Sequence, residues 1–243
     1  MDEGRLGRMP QIPEFPPLKQ EDMKEIFNLY ISLMGKFSVE TIKATAPGFK
    51  AYTGIDEDVG NDWNKEVPFY NTGITFSQLL YTLAMTRHPL VKGITDSEFD
   101  DSKFDAKELI EQKIMKGMKI LDLGSGPRPV FARCCRAMGA DVWTVDKPPR
   151  LFGTYEFRTN RKLLSKEQCE LEDKRHIEID LTSKKATDVI KEKSRGEFNL
   201  VTEANLIGPG LHTDEQKRSV AMPLLKKGGV YYSVSNFRPE LKE

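Results

Sequence analysis

The chain has 243 residues, room for one α/β domain of roughly 130–150 residues and an additional segment. Its 37 basic and 37 acidic residues cancel, so it lacks the overall basic excess of a nucleic-acid binder. Three cysteines without a C-x-x-C pair make neither a zinc framework nor a disulfide scaffold, and they suit a reducing cytoplasm.

Residues 1–20 hold four prolines and little periodicity, which predicts an extended arm. The stretch lacks the apolar core of a signal peptide. No later run approaches the roughly 20 apolar residues that span a bilayer. A cytoplasmic protein with no membrane partner is the expectation. Met23, Ile26, Phe27, Tyr30, Ile31 and Met34 recur at helical spacing and predict one apolar helix face. A short second helix follows Ser38 as N-cap, and residues 46–68 read as loop. Phe76, Leu79, Leu80 and Leu83 predict a further helix that stops near His88, because Pro89 disfavours helix at the residue before it. His88 is placed at that helix end, where its charge meets the C-terminal dipole. The acidic stretch 95–105 reads as loop and leads into a helix over 106–116.

From Lys119 the pattern becomes strand alternating with helix. The strands are "KILDL" (119–123), "DVWTV" (141–145), "HIEID" (176–180), "FNLVT" (198–202) and "VYYSVS" (230–235). Val130, Phe131, Cys134, Cys135 and Met138 predict the buried stripe of the first intervening helix, with both cysteines inert in the core. Ser165 with Gln168, and Thr213 with Gln216, have capping-box spacing. Lys227-Gly228-Gly229 predicts a stop and a turn before the last strand. Alternation of this kind implies parallel strands with right-handed crossovers. The expected fold is α/β, a Rossmann-like, doubly wound, mostly parallel sheet. The expected domains are an arm over 1–20, a helical N-terminal cap over 21–104 and the sheet domain over 105–243.

The glycine turn after the first strand, Gly124-Ser125-Gly126, is the chemical centre. Asp122 ends the first strand. Asp146 ends the second, 22 residues beyond Gly124, where a carboxylate accepts from ribose hydroxyls. Asp180 ends the third and is placed to meet an adenine amino group. All three lie at the carboxyl edge, where open α/β sheets bind ligands. The nicotinamide fingerprint G-x-G-x-x-G fails at its last position, which is Pro129. The loop therefore suits a cofactor without a pyrophosphate.

"LDLGSGP", "VD" at 145–146, "IDL" at 179–181 and "LLKKGG" at 224–229 resemble the class I S-adenosylmethionine-dependent methyltransferases over a little more than half of the chain. The resemblance implies a cofactor site built from Asp122, Gly124, Ser125, Gly126, Asp146, Lys147, Asp180, Leu181 and Glu203. The first of these surround the methionine part, Asp146 holds the ribose, and Asp180 with Leu181 frames the adenine. It also implies a variable N-terminal cap that shapes substrate choice. Two features depart from the family. Arg128 stands where a third loop glycine is usual, and the antiparallel strand pair that follows the fifth strand is shortened or missing. An exposed fifth strand needs cover, from a homodimer through the sheet edge, from the N-terminal segment, or from chain beyond this sequence.

Candidates for chemistry follow the fourth strand. Glu203 is a base or a cofactor contact. His212 is a catalytic candidate with a surface or capping role as the alternative. Tyr70, with Asn71 and Thr72, lines the substrate pocket or forms a helix-entry turn. The absence of "NPPY" or "DPPY" argues against base and glutamine substrates. Residues 147–175 carry eight Lys/Arg against five Asp/Glu, which reads as a solvated face rather than a nucleic-acid patch. No metal spacing is evident. The expected function is methyl transfer from S-adenosyl-L-methionine to a small-molecule acceptor. Alternatives are a protein or RNA methyltransferase, and a catalytically silent methyltransferase-like binding domain.

Overall fold

The computed structural model describes residues 14–36, 69–96, 98, 106–126, 129–147, 164–204, 206, 211–234 and 238–243, with backbone alone at 69–75 and 238. In chain order the helices are α1 (Gln20–Lys36), α2 (Phe69–Thr86), α3 (Pro89–Thr95), α4 (Lys107–Glu111), α5 (Val130–Ala137), α6 (Lys166–Lys174), α7 (Ala186–Ser194) and α8 (Asp214–Ala221). The strands are β1 (Lys119–Leu123), β2 (Asp141–Asp146), β3 (His176–Glu178), β4 (Phe198–Glu203), β5 (Leu225–Ser233) and β6 (Arg238–Leu241). They form one sheet in the order β3-β2-β1-β4-β5-β6. The first four pairings are parallel, and β6 is antiparallel to β5. This is a mixed α/β fold on a six-stranded, mostly parallel sheet, consistent with a Rossmann-like arrangement. Strand order reverses between β1 and β4, which opens the ligand crevice of such sheets at their carboxyl ends.

Alternation along each strand sorts the core into two clusters. Ile120, Val142, Leu200, Val230 and Tyr232 pack with Ile26 and Leu33 of α1, Leu80 and Leu83 of α2, and Phe131 and Cys135 of α5. Leu121, Leu123, Trp143, Val145, Val201 and Tyr231 pack on the other face with Ile190 of α7 and Ala221 of α8. Each fully buried aliphatic side chain contributes about 1.5–3 kcal/mol. Both capping boxes form, at Ser165–Gln168 and Thr213–Gln216. Cys134 and Cys135 are buried, and burial pushes the Cys134 thiol up to about 12.

Several expectations change. The first helix turns only part of the expected face inward: Met23, Ile26 and Tyr30 are buried together with Leu33, whereas Phe27, Ile31 and Met34 stay 40%, 51% and 39% exposed. Met23, Ile26, Tyr30 and Leu33 follow the 3–4 residue spacing of one narrow face. Phe27, Ile31 and Met34 are offset by one position from it. His88 does not close α2. It caps α3, its Nδ1 accepting from the Leu90 N–H at 3.2 Å, with Pro89 at the first helical position. Helix α4 is shorter than 106–116 and gives way to turns. The helix after Ser38 and the loop over 46–68 lie outside the described residues, as does most of 95–105.

The end of the chain departs most. The fifth strand begins at Leu225, not 230, and Gly228-Gly229 lies inside it, where the β4–β5 register shifts. Gly228 has φ +70° and makes the bulge that glycine tolerates. The fifth strand is not an open edge, because β6 pairs with it from Val230↔Leu241 to Ser233↔Arg238. One antiparallel strand is thus present, although "RPEL" carries no alternation that announces it. The arm residues 14–19 cross the amino edge. The Phe15 N–H donates to Gly117 O at 3.2 Å and the Leu18 N–H to Gly228 O at 2.9 Å.

Candidate functional site

The loop after β1 is shaped by its glycines and by the end of β2. Gly124 and Gly126 have φ +70° and +66°, backbone conformations that other residues reach only at a cost. The Gly124 N–H donates to Val145 O at 2.8 Å, and the Gly126 N–H donates to Asp146 Oδ2 at 2.7 Å. The predicted loop and the predicted ribose acid are therefore in direct contact. A Cβ on Gly124 would stand 2.8 Å from Leu206 Cδ1, whereas one on Gly126 would meet nothing within 4 Å. The loop is packed from behind and open at Gly126. Among the described residues Ser125 Oγ, which is buried, has no hydrogen-bond partner, an unsatisfied group of the kind that ligands complete.

Asp122 lies behind the loop, 4% exposed. Gln78 of α2 donates from Nε2 to Asp122 Oδ1 at 3.5 Å and to Thr202 Oγ1 at 3.1 Å. Burial pushes the Asp122 carboxyl up to about 7. The Gln78 amide opposes this, the Asp146 and Glu203 carboxylates add to it, and the Arg136 guanidinium opposes it.

Asp146 is half-buried. Burial raises its carboxyl, against the opposing pull of the Lys147 and Gly126 amides. The Lys147 N–H reaches Oδ1 at 2.7 Å. Each oxygen holds one amide and keeps a second acceptor direction. Asp180 stands two residues beyond the end of β3, in a turn rather than on the strand as predicted. Its side chain competes for the backbone as Asp does in turns, accepting from the Thr182 N–H at 3.0 Å and hydroxyl at 2.7 Å. Those two bonds, hydroxyl first, hold its carboxyl below the usual range. Lys147 Nζ pairs with Asp180 Oδ2 at 3.2 Å, which brings the second and third strand ends together. Leu181 is buried in the cluster under α7 and α8.

Of the residues proposed for chemistry, Glu203 and His212 are engaged by different partners. Glu203 is fully buried. Its Oε1 takes Lys217 Nζ at 3.2 Å and the Ser233 hydroxyl, and its Oε2 takes the Leu206 N–H at 3.0 Å. The carboxylate points inward and anchors the segment after β4, so it is a fastening rather than a base at the mouth of the site. His212 is exposed, and its N–H donates to Gln216 Oε1 at 2.9 Å at the start of α8. Tyr70 lies in the first turn of α2, and its side chain is outside the described residues, as are Arg128 and Asn205. Among the described residues no group of three or more His, Cys, Asp or Glu is placed to hold a metal.

Sequence reasoning missed Gln78, Lys217 and Ser233. Gln78 sits in an apolar helix 44 residues from Asp122, and no local spacing links the two. Lys217 is buried although it looks like any surface lysine after a capping box.

No family model matches the chain, and no curated protein matches it. Among solved structures, alcohol dehydrogenase TADH from Thermus sp. ATN1 aligns with 51% of this chain at 18% identity and a TM-score of 0.30. The alignment covers 31% of that enzyme, so this chain spans about a third of its length. A likeness that slight carries no argument about activity.

Proposed function

We propose that the protein is an S-adenosylmethionine-dependent methyltransferase acting on a small-molecule acceptor. The observation that carries this reading is the glycine loop bonded to Asp146 at the point of strand reversal, with Pro129 where a pyrophosphate-binding loop needs its third glycine. The antiparallel β6 beside β5 supports it further, because the resembling family continues with antiparallel strands there. The residues present fit the cofactor. Among the described residues a Cβ on Gly126 would meet nothing within 4 Å and Ser125 Oγ has no partner, and Asp146 retains acceptor capacity for ribose hydroxyls.

When bound, the cofactor supplies an electrophilic sulfonium methyl group. The chain's own residues bind and orient. Asp122 places a carboxyl group behind the loop, Asp146 accepts from the ribose, and the Lys147–Asp180 pair borders the adenine end. In-line transfer draws most of its advantage from positioning, so the inward-held Glu203 is no obstacle to it. The helical layer reaches to within one residue of the ends of β1 and β4 at Gln78. That supports an enclosed acceptor, hence a small molecule ahead of protein or RNA.

The inward Glu203 also favours one second reading, a domain that binds the cofactor without transferring methyl. Calorimetry with S-adenosylhomocysteine tests the site: binding is expected, and no heat at millimolar concentration sinks the proposal. Incubating the protein with methyl-labelled cofactor and a metabolite extract separates enzyme from silent binder. Label on a small molecule is expected, and the absence of any transferred label favours the silent reading.

A further inference from the structure

The buried face of α2 is apolar at Leu79, Leu80, Leu83 and Ala84, and Gln78 interrupts it at 2% exposure. A primary amide is buried only with its hydrogens satisfied. The preceding Ser77 is already engaged with Tyr30 at 2.6 Å and Tyr232 at 2.9 Å, and those two hydroxyls meet each other at 2.9 Å. That trio of hydroxyls is closed on itself. Thr202 and Asp122 are cross-strand partners on β4 and β1, so one planar NH2 spans both. The Thr202 bond at 3.1 Å anchors the amide, and the same nitrogen lies 3.5 Å from Asp122 Oδ1 with a second hydrogen to give.

We propose that Gln78 is a positioning residue for the ligand site: anchored on Thr202, its amide favours the ionised form of the Asp122 carboxyl and fixes it behind Gly124, and so ties helix α2 to ligand binding. The ligand half of this statement rests on the reading of the site as one for S-adenosylmethionine. The groups that face Asp122 explain why it needs help. Asp146 at the end of β2 and Glu203 at the end of β4 repel its charge, and Cys135 of α5 lies close to it. Arg136 of α5 attracts it, but that guanidinium is committed to Val142 O at 2.7 Å. A hydrogen bond to the charged form adds to that attraction in favouring ionisation, and Gln78 is the larger of the two.

The test is a carbon-13 carboxyl titration of Asp122 in the ligand-free protein, assigned with Asp122→Asn. Gln78→Met keeps the packing volume and removes the amide. Its expected result is a midpoint raised by about one pH unit, and Thr202→Val, which loosens the anchor, raises it by less. The matching binding result is S-adenosylhomocysteine affinity weakened about tenfold near pH 6.5 and held near pH 9. A role in packing alone would weaken binding equally at both. An Asp122 midpoint unchanged in Gln78→Met overturns the proposal, and Thr202→Val decides in the same way if the first variant does not fold. Failure of S-adenosylhomocysteine to bind the unaltered protein overturns the cofactor reading instead and leaves the titration to decide on Gln78.

Discussion

Asp122→Asn is expected to make the protein more stable and worse at binding. The carboxyl is raised by burial from 3.8 to about 7, a difference of about three units. At 1.36 kcal/mol per unit the ionised form costs the folded state up to about 4 kcal/mol. The sign follows from linkage. A carboxyl whose folded value lies above its unfolded value costs nothing below about pH 4, where both states are protonated, and its cost grows as pH rises to about 7. Above that it is constant. Asparagine has the same shape, carries no charge and keeps an oxygen for the Gln78 amide. The value of about 7 already includes the attraction of Arg136, so the expected gain at pH 8 is about 2–4 kcal/mol, which is about 5–15 °C in Tm for a chain of this size. Urea unfolding of both proteins from pH 4 to pH 8.5 measures the gain, which shrinks towards zero near pH 4. A variant no more stable than the parent at pH 8, or an advantage equal at pH 4 and pH 8, refutes the reasoning. S-adenosylhomocysteine binding should fall at least tenfold in the same variant, an exchange of stability for function of a kind seen at many sites.

Asp146→Ala should weaken S-adenosylhomocysteine binding by roughly 1–3 kcal/mol in calorimetry, because the ribose loses an acceptor and the Gly126 amide loses its partner; unchanged affinity would mean that the ribose lies elsewhere. Lys217→Met leaves the fully buried Glu203 without its cation, and breaking such a pair from one side costs about 3 kcal/mol. The double variant Glu203→Gln/Lys217→Met should recover part of that loss in urea unfolding, and a strictly additive cycle would deny the coupling. Gly228→Ala places a Cβ 2.7 Å from Pro17 Cβ and 2.8 Å from Leu18 O at φ +70°, and about 2–4 kcal/mol should be lost from strain and overpacking together. Gly35→Ala, with nothing within 4 Å on helix α1, should instead gain up to about 1 kcal/mol, and thermal unfolding of the pair compares the two directly.

The parts that the sequence makes legible are those whose cause is local. Apolar runs fix the position of β1, β2 and β4, and the paired glycines mark the loop because positive φ has few other solutions. Ser165 and Thr213 announce their capping boxes by spacing alone. The parts it hides depend on partners distant in the chain. Gln78 has no meaning until Asp122 and Thr202 are brought beneath it. Lys217 is indistinguishable from a solvated lysine until Glu203 is found below α8. The outward turn of Phe27, Ile31 and Met34 cannot be read from a helix in which both candidate stripes are apolar. Strand β6 forms because β5 offers it a ladder, and its own residues include the proline that strand patterns usually exclude.

The even- and odd-numbered residues of the strands divide control of the loop between two layers. Asp122 and Thr202 answer to α2 on one side of the sheet. Glu203 and Ser233 answer to α8 on the other, and Leu206 carries that fastening to the back of Gly124. A displacement of either layer leaves the opposite fastening in place. The loop is thus moored from both layers, in addition to its own bonds to Val145 O and Asp146 at the end of β2.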